Sequence, residues 1–489
     1  MFAEIHIERG RIRAVLPCAV GTIVRTETDT YEFPDSHVLP GFVDSHAHIV
    51  GYGERLSMPS LHAATSLDEV RQRLAAALRA DKPWLQAMGW NHEHWSTPQL
   101  PTREDLDHVS DSVPIVAMRV DGHAMWVNSA ALRAAGIDPT HHSGMLIDDD
   151  MRPIWAIQPK PTRDELREQI LAATSEWARQ GVTEVHDMDV APEWLESFRE
   201  LAESGHLPVR VQSFVRGQHN EWMNEGLLPA GGELHRIAGV KLFSDGALGS
   251  RGALLRTPYS DQLDTRGIEL LSVDEMITRM REIVEAGWPA IAVHAIGDAA
   301  VRNVLDAYTA VRSMPGGEDL ILRIEHAQHV AQDDVHRFAE LGIIACVQSS
   351  HCMSDASMAV KRLGDERLAW SYRWRSLLDA GVTITGGSDA PIEPPSVIEG
   401  LRAFVHRVPY GHTTPWCPTE CIASVEAVRS YTSDAHRASG MEYRRGKLEV
   451  GYDADIVVVS HDLLDNASHI PDDVAIRATF TAGRLRYAG

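Results

Sequence analysis

Cysteine is scarce in this chain: 5 among 489 residues, at positions 18, 346, 352, 417 and 421. An odd and scattered set excludes a disulfide framework. Cys417 and Cys421 lie four apart beside Pro418, but no second pair completes a structural zinc site. Positive charge is short as well, with 46 Lys and Arg against 69 Asp and Glu, a formal net charge of −23. That balance speaks against nucleic acid or an acidic membrane as partner, since both need clustered cations. No apolar run approaches a membrane span, and the opening Met-Phe-Ala-Glu-Ile-His has neither a basic start nor an apolar signal core. The cytoplasm is therefore the expected location. Also missing are a Gly-x-Ser-x-Gly nucleophile elbow and a Gly-x-Gly-x-x-Gly cofactor loop.

What is present is a set of short apolar runs, each closing on a residue able to bind metal. They are Leu39-Pro-Gly-Phe-Val-Asp-Ser-His46 with His48 just beyond, Gly239-Val-Lys241, Ala290-Ile-Ala-Val-His294, Ile321-Leu-Arg-Ile-Glu-His326 and Val382-Thr-Ile-Thr-Gly-Gly-Ser-Asp389. Residues so far apart in sequence meet only if their strands lie side by side and end on one face. A parallel barrel does this, with its site at the C-terminal mouth. Counting strand candidates near 42, 183, 210, 240, 291, 322, 344 and 383 gives the eight that a closed (β/α)8 TIM barrel needs. Helical patterns such as Leu166–Gln180, Val273–Ala286, Ala299–Arg312 and Val397–Arg407 alternate with them.

The first two strands are separated by about 130 residues, far beyond a normal βα connection. An insertion at about 50–160 is expected, with its own strand at Pro114–Arg119 and helix at Leu67–Leu78, and a lid or substrate-pocket role at the barrel mouth. Both ends of the chain show short alternating β pieces punctuated by turn residues. The expected division is a small β-domain from 1–38 plus 440–489, and a barrel over 39–439 that includes the insertion.

In a strand, residues two apart point the same way, so His46 and His48 can reach one ion. Isolated His-x-His pairs are common, and 25 histidines supply chance matches; the apolar strand before this pair raises its weight. His294 and His326 taken singly read as hydrogen-bonded fold histidines. Asp389 follows glycines that permit close backbone approach, and an unpaired carboxylate beside an apolar core is costly unless a metal or imidazolium faces it. Its competing reading is a surface turn aspartate before Ala-Pro. Lys241 shares its strand face with Gly239 and Phe243. It is a surface lysine, or it pairs with an acid such as Asp245, or its amine carries a carbon dioxide-derived carbamate.

These stretches, together with Arg119-Val-Asp-Gly-His-Ala-Met-Trp-Val-Asn-Ser129, Gly239-Val-Lys-Leu-Phe-Ser-Asp-Gly-Ala-Leu-Gly-Ser-Arg251, Val293-His-Ala-Ile-Gly-Asp298, Ile324-Glu-His-Ala327 and Gly386-Gly-Ser-Asp-Ala-Pro391, resemble the metal-dependent amidohydrolase superfamily. Within it the resemblance is to the branch containing N-substituted formamide deformylase and the YtcJ-like proteins, and it spans essentially the whole chain. The resemblance implies a TIM barrel with a β-sandwich made from both termini. It implies two divalent ions, zinc first with Fe2+ and Mn2+ as alternatives. His46 and His48 would bind the more buried ion, His294 and His326 the other, and N6-carboxylated Lys241 would bridge them. Asp389 would touch the buried ion and shuttle the proton. Against the usual pattern the N-terminal β segment is short.

Such a site suits water attack on a carbonyl, and the expected reaction is hydrolysis of a C–N amide bond in an N-acyl or N-formyl amine. Ester, lactone or carbamate hydrolysis could use the same water; ring deamination and a non-catalytic binding or regulatory role are the other readings. The resemblance sets His123 against the substrate, with a satisfied fold histidine as the alternative. Arg251 and His351 lie where barrel-mouth loops emerge, and Trp90, Trp95 and Trp126 either offer an apolar or aromatic binding surface or simply cover a core. The expected partner is a small carbonyl substrate; homo-oligomerisation is left open.

Overall fold

The computed structural model describes residues 2–79, 82–120, 122 and 124–489. Its largest sheet has eight strands in chain order: β1 (Phe42–Ala47), β2 (Val182–Val190), β3 (Arg210–Arg216), β4 (His235–Phe243), β5 (Ala290–Ala295), β6 (Ile321–His326), β7 (Ile344–Val347) and β8 (Ile384–Gly386). Every neighbouring pair is parallel. Parallel neighbours need crossovers, and helices such as Leu195–Glu203, Val273–Glu285 and Asp298–Arg312 supply them. β5, Ala-Ile-Ala-Val-His-Ala, is buried along its whole length, as a strand covered on both faces must be. Ser272 opens the helix Val273–Glu285 with a capping box, its hydroxyl accepting from the Glu275 N–H while the Glu275 carboxylate accepts from Ser272. A cap of this kind is worth about 1 kcal/mol.

The first and last strands come together to close the barrel. The Asp389 N–H donates to the His46 carbonyl at 2.7 Å, and the His48 N–H donates to the Ala390 carbonyl at 2.8 Å. Beneath them the Asp44 carboxylate accepts from the Ser388 N–H at 2.9 Å, the Ser388 hydroxyl at 2.6 Å and the Trp177 indole at 2.8 Å. Closure itself therefore carries Asp389 to the two histidines. Gly387 permits it: a Cβ there would lie 2.7 Å from the His46 nitrogen and 2.9 Å from its Cβ.

Strands Ala3–Glu8, Arg11–Pro17, Gly21–Arg25 and Thr30–Pro34 form one four-stranded sheet. His37–Pro40 joins Ile456–Val459, Ile476–Thr481 and Arg484–Ala488 in a second. Ile5, Ile7, Ile12 and Val24 of the first share a core with Val38, Ile456, Val458 and Phe480 of the second. Tyr31 meets Phe480 edge-on at 5.3 Å. The small β-sandwich is thus built from both termini. With the barrel it forms one compact unit, running to Gly51 and again over Ile170–Gly489.

Residues Tyr52–Gln169 form a second compact unit. Its own four-stranded sheet runs Met145–Ile147, Ala124–Val127, Ile115–Arg119, Leu85–Trp90. The helix Leu67–Ala77 packs beside it, with the Ser66 hydroxyl accepting from the Glu69 N–H. Here one expectation is corrected. Trp90, Trp95 and Trp126 are not an exposed aromatic wall but the interior of this unit, with ring centroids 5.9–6.4 Å apart. The Trp90 and Trp126 indoles donate to the Ala117 and Thr102 carbonyls, which accounts for their polar edges. Among the described residues, no helix is long and apolar enough to cross a membrane.

Candidate metal centre

Five imidazoles and one carboxylate converge at the C-terminal ends of the barrel strands. His46 lies near the end of β1 and His48 just beyond it. The Nε2 atoms of both face one oxygen of Asp389, at 3.5 Å and 3.2 Å. The other Asp389 oxygen lies 3.8 Å from Nε2 of His351, in the first turn of the helix Ser349–Leu363 that follows β7. His326 ends β6, its ring centroid 4.7 Å from His46, 4.4 Å from His294 and 6.3 Å from His351. Two ligand triads result, His46–His48–Asp389 and His326–His351–Asp389, each with its donor atoms within 4.8 Å of one another. Asp389 belongs to both.

This grouping differs from the one implied by resemblance, which paired His294 with His326. His294, at the end of β5, stands outside both triads, with Nε2 3.4 Å from the Asp245 carboxylate and no hydrogen-bond partner. Asp245 instead accepts from the backbone N–H groups of Leu254, Ile296 and Gly297. Lys241 is fully buried, which disposes of the surface-lysine reading. Its Nζ has no hydrogen-bond partner among the described residues, so pairing with Asp245 goes too. The Phe243 ring lies 5.0 Å from that amine.

Backbone geometry contributes to the convergence. His326, Ala327 and Asp389 adopt φ values of 72°, 42° and 58°, in the left-handed region. Each such non-glycine residue costs on the order of 1–3 kcal/mol and persists only where the surroundings impose it. In an extended strand the His326 ring would face away from the side occupied by Glu325. The left-handed turn lets both Glu325 and His326 meet His46.

Burial keeps the imidazoles ready to donate lone pairs. His46 is pushed down to about 4 and His294 to about 3, by burial first and the Lys241 charge second. Burial also depresses His326 well below its usual value, with the charges of His294 and His46 adding to it. His48 runs the other way: burial lowers it, but its hydrogen bond to Asp389 and that carboxylate's charge raise it above the ordinary range. Asp389 stays ionised, because hydrogen bonding from His48 and the charges of His46 and His326 outweigh the burial that works to neutralise it. Burial depresses Lys241, favouring its neutral amine.

The residues fit a metal. Imidazole nitrogen and carboxylate oxygen suit zinc, iron or manganese. Each Nδ1 of His46, His48 and His326 is engaged, by Glu325 Oε2, the Met188 carbonyl and Gln348 Oε1 respectively, leaving Nε2 turned inward. The buried Lys241 Nζ, His294 Nε2 and His351 Nε2 lack any partner among the described residues, and buried polar atoms rarely stay so in a folded protein.

Two other residues singled out from the sequence fall elsewhere. Arg251 is fastened to Asp261 at 3.0 Å and joins neither triad. His123 lies outside the described residues. Sequence reasoning overlooked Arg323, Glu325 and Gln348, which orient the ligands, and Asp187, whose Oδ1 accepts from the Ile49 N–H while Oδ2 is buried without a partner. Burial raises Asp187 to about 7. A signal existed for the first two: Arg323 and Glu325 are opposite charges two apart in an otherwise apolar strand.

The sequence profile of the Amidohydrolase family matches residues 35–487. The chain belongs to the amidohydrolase family. YtcJ of Bacillus subtilis strain 168 is 32% identical over 464 residues, covering 89% of this chain and 86% of that protein. N-substituted formamide deformylase of Arthrobacter pascens is 27% identical, over 95% and 93% of the two chains. Among solved structures, an uncharacterized metal-dependent hydrolase from Pyrococcus horikoshii OT3 superposes with a TM-score of 0.80 at 26% identity, over 94% of each chain. This amidohydrolase therefore has the fold of a hydrolase family, and its imidazole and carboxylate groups suit a divalent metal.

Proposed function

We propose that this amidohydrolase cleaves the C–N bond of an N-acyl or N-formyl amine, using two divalent ions held by His46, His48, His294, His326, Asp389 and a carboxylated Lys241. The observation that carries the reading is one ionised carboxylate, Asp389, shared between two imidazole groups beside a buried lysine without a partner. A positive ammonium has no place between two cations. Addition of carbon dioxide to the neutral Lys241 amine forms an N–C bond, releases one proton to solvent and reverses the charge. When bound, the ions would supply an acidified water and polarise the scissile carbonyl.

The chain's own groups do the rest. Asp389 faces His46 and His48 through one oxygen and His351 through the other. From there it takes the proton of the attacking water and returns it to the departing nitrogen, as a general base and then acid. His351, with Nε2 3.8 Å from the second oxygen, would hydrogen-bond the oxygen of the tetrahedral intermediate. The likeness to N-substituted formamide deformylase supports an N-formyl or small N-acyl group on the carbonyl side.

The test is metal analysis of the purified protein, then kcat/KM across N-formyl, N-acetyl and bulkier N-acyl amines with matched esters and lactones. Two ions per chain and a preference for amides are expected. A consistent preference for esters or lactones would move the assignment to the corresponding hydrolase. Inactivity on every carbonyl substrate with both ions loaded would leave a non-catalytic binding protein.

A further inference from the structure

His46, His48 and His326 each donate Nδ1–H outward and present Nε2 inward, but to three different acceptors. His48 donates to the Met188 backbone carbonyl at 3.0 Å. His326 donates to the Gln348 side-chain oxygen at 2.7 Å, and the Gln348 amide nitrogen is fixed by the Cys346 carbonyl at 3.3 Å. His46 donates to a carboxylate, Glu325 Oε2, at 2.5 Å. Since a carboxylate facing a ring nitrogen at this distance accepts, the proton sits on Nδ1 and Nε2 keeps its lone pair. Of these three ligands, His46 is the one backed by a full negative charge.

Glu325 has no freedom to turn. Arg323, two residues earlier on β6, grips it with a fork: Nε to Oε1 at 2.8 Å and Nη2 to Oε2 at 3.2 Å. The remaining guanidinium donors reach the Ser45 carbonyl at 2.7 Å, His186 Nδ1 at 3.0 Å and the Ala438 carbonyl at 3.2 Å. All five N–H groups of Arg323 thus have an acceptor, and the Phe214 ring lies 4.5 Å from its charged carbon. Both side chains of the pair are completely buried. Ser45 immediately precedes His46, so Arg323 holds the ligand's backbone while Glu325 holds its ring. A buried ion pair is weak evidence for stability, because apolar residues of similar volume often serve as well. What an apolar pair cannot do is set the direction and tautomer of an imidazole.

We infer that Arg323 and Glu325 are positioning residues for His46: they lock its ring with Nε2 toward Asp389 and make it the most electron-rich imidazole of the three. The inference rests on the metal-centre reading above. It is tested on the full-length protein with Zn2+ and Co2+ as probes. The variants are Glu325→Gln, the pair replacement Arg323→Met with Glu325→Leu, which strands no buried charge, and Gln348→Leu as the comparison at His326. Zn2+ affinity by chelator competition is expected to fall roughly 10–100-fold in the pair replacement, the range for lost partners of metal-bound histidines. Gln348→Leu should lose less. The visible spectrum of the Co2+ form should shift in the Glu325 variants, while circular dichroism and the cooperativity of apo-protein melting stay as in the wild type. Unchanged Zn2+ affinity and Co2+ spectrum in both Glu325 variants would overturn the inference, provided His46→Ala loses the ion. A wild-type protein that takes up neither probe would instead overturn the metal-centre reading itself.

Discussion

The barrel of this amidohydrolase buries titratable groups at both ends, and the two ends treat them in opposite ways. Toward the N-terminal ends of the strands, Arg445 reaches Glu184 at 2.6 Å and Asp453 at 2.9 Å. Arg210 reaches Asp455 at 2.8 Å and 3.1 Å and Glu233 at 2.8 Å. Glu184 also accepts from His186 at 3.2 Å and from the Ser439 hydroxyl at 3.2 Å. Exceptions there are Arg444 Nε and the ring nitrogens of His436, which have no hydrogen-bond partner among the described residues although His436 Nδ1 lies 3.5 Å from Glu184. At the mouth, Lys241, His294 and His351 each have a buried nitrogen without a hydrogen-bond partner among the described residues. Buried charge satisfied by the chain itself is scaffolding. Buried nitrogens whose lone pairs are left open suit a ligand that accepts them.

Substitutions should separate the two ends, and the largest effect belongs to the mouth. Asp389→Asn keeps the shape but removes the proton acceptor, so turnover is expected to fall about 10²–10⁴-fold with little change in KM. Steady-state kinetics on the best amide of the panel measure this; turnover within threefold of wild type would remove Asp389 from the chemistry. Next comes Lys241→Ala, for which metal analysis should show fewer ions per chain, and short carboxylic acids should restore part of the activity. Two fully retained ions would mean that the lysine bridges nothing.

At the other end the expected loss is in stability. Arg445→Ala leaves Glu184 and Asp453 buried without their shared cation, a change that costs about 3–5 kcal/mol. Urea unfolding should register it while the metal content of the folded fraction stays at the wild-type value; a loss of metal without a loss of stability would blur the distinction between the ends.

The smallest effect is a matter of pH. His235, at the start of β4, sits with Nε2 2.9 Å from the Ser213 hydroxyl and its ring stacked on Phe198. Burial lowers it from 6.5 to about 4. The unfolded chain therefore binds a proton near pH 6.5 that the folded chain refuses until about pH 4. This histidine's contribution is complete above pH 6.5 and is lost progressively as the pH falls toward 4. His235→Phe should flatten the fall in melting temperature between pH 7 and pH 5 by a few degrees. An unchanged slope would show that other groups set the acid limb.

The barrel was legible because eight apolar runs alternate with helical ones, and period and order survive folding. The convergence of His46, His48, His326 and Asp389 was legible for the same reason: strand ends in a parallel sheet share a face. Ring orientation was not. How the His326 ring turns toward both His46 and His294 depends on left-handed backbone at position 326, and a non-glycine residue gives no warning of it. The role of the tryptophans was also out of reach, since an indole that lines a site and one that fills a core carry the same pattern. Arg323 and Glu325 could have been noticed. Two opposite charges on one face of an apolar strand need a buried purpose, and the histidine beside them carries the more familiar signal.

The strand His37–Pro40 pairs with Ile456–Val459, His37 opposite Val459 and Pro40 opposite Ile456. During synthesis, then, Pro40 waits for a partner 416 residues further on (456 minus 40). At ribosomal rates that wait is on the order of tens of seconds. The seam between His46 and Asp389 imposes a similar delay on the barrel. Early hairpins such as Ala3–Pro17 can form, but Ile5 and Ile7 wait for Ile456, Val458 and Phe480 to complete their core. A nascent chain therefore keeps these apolar faces open until the late strands are made, and gathers its metal-competent groups only once Asp389 has emerged.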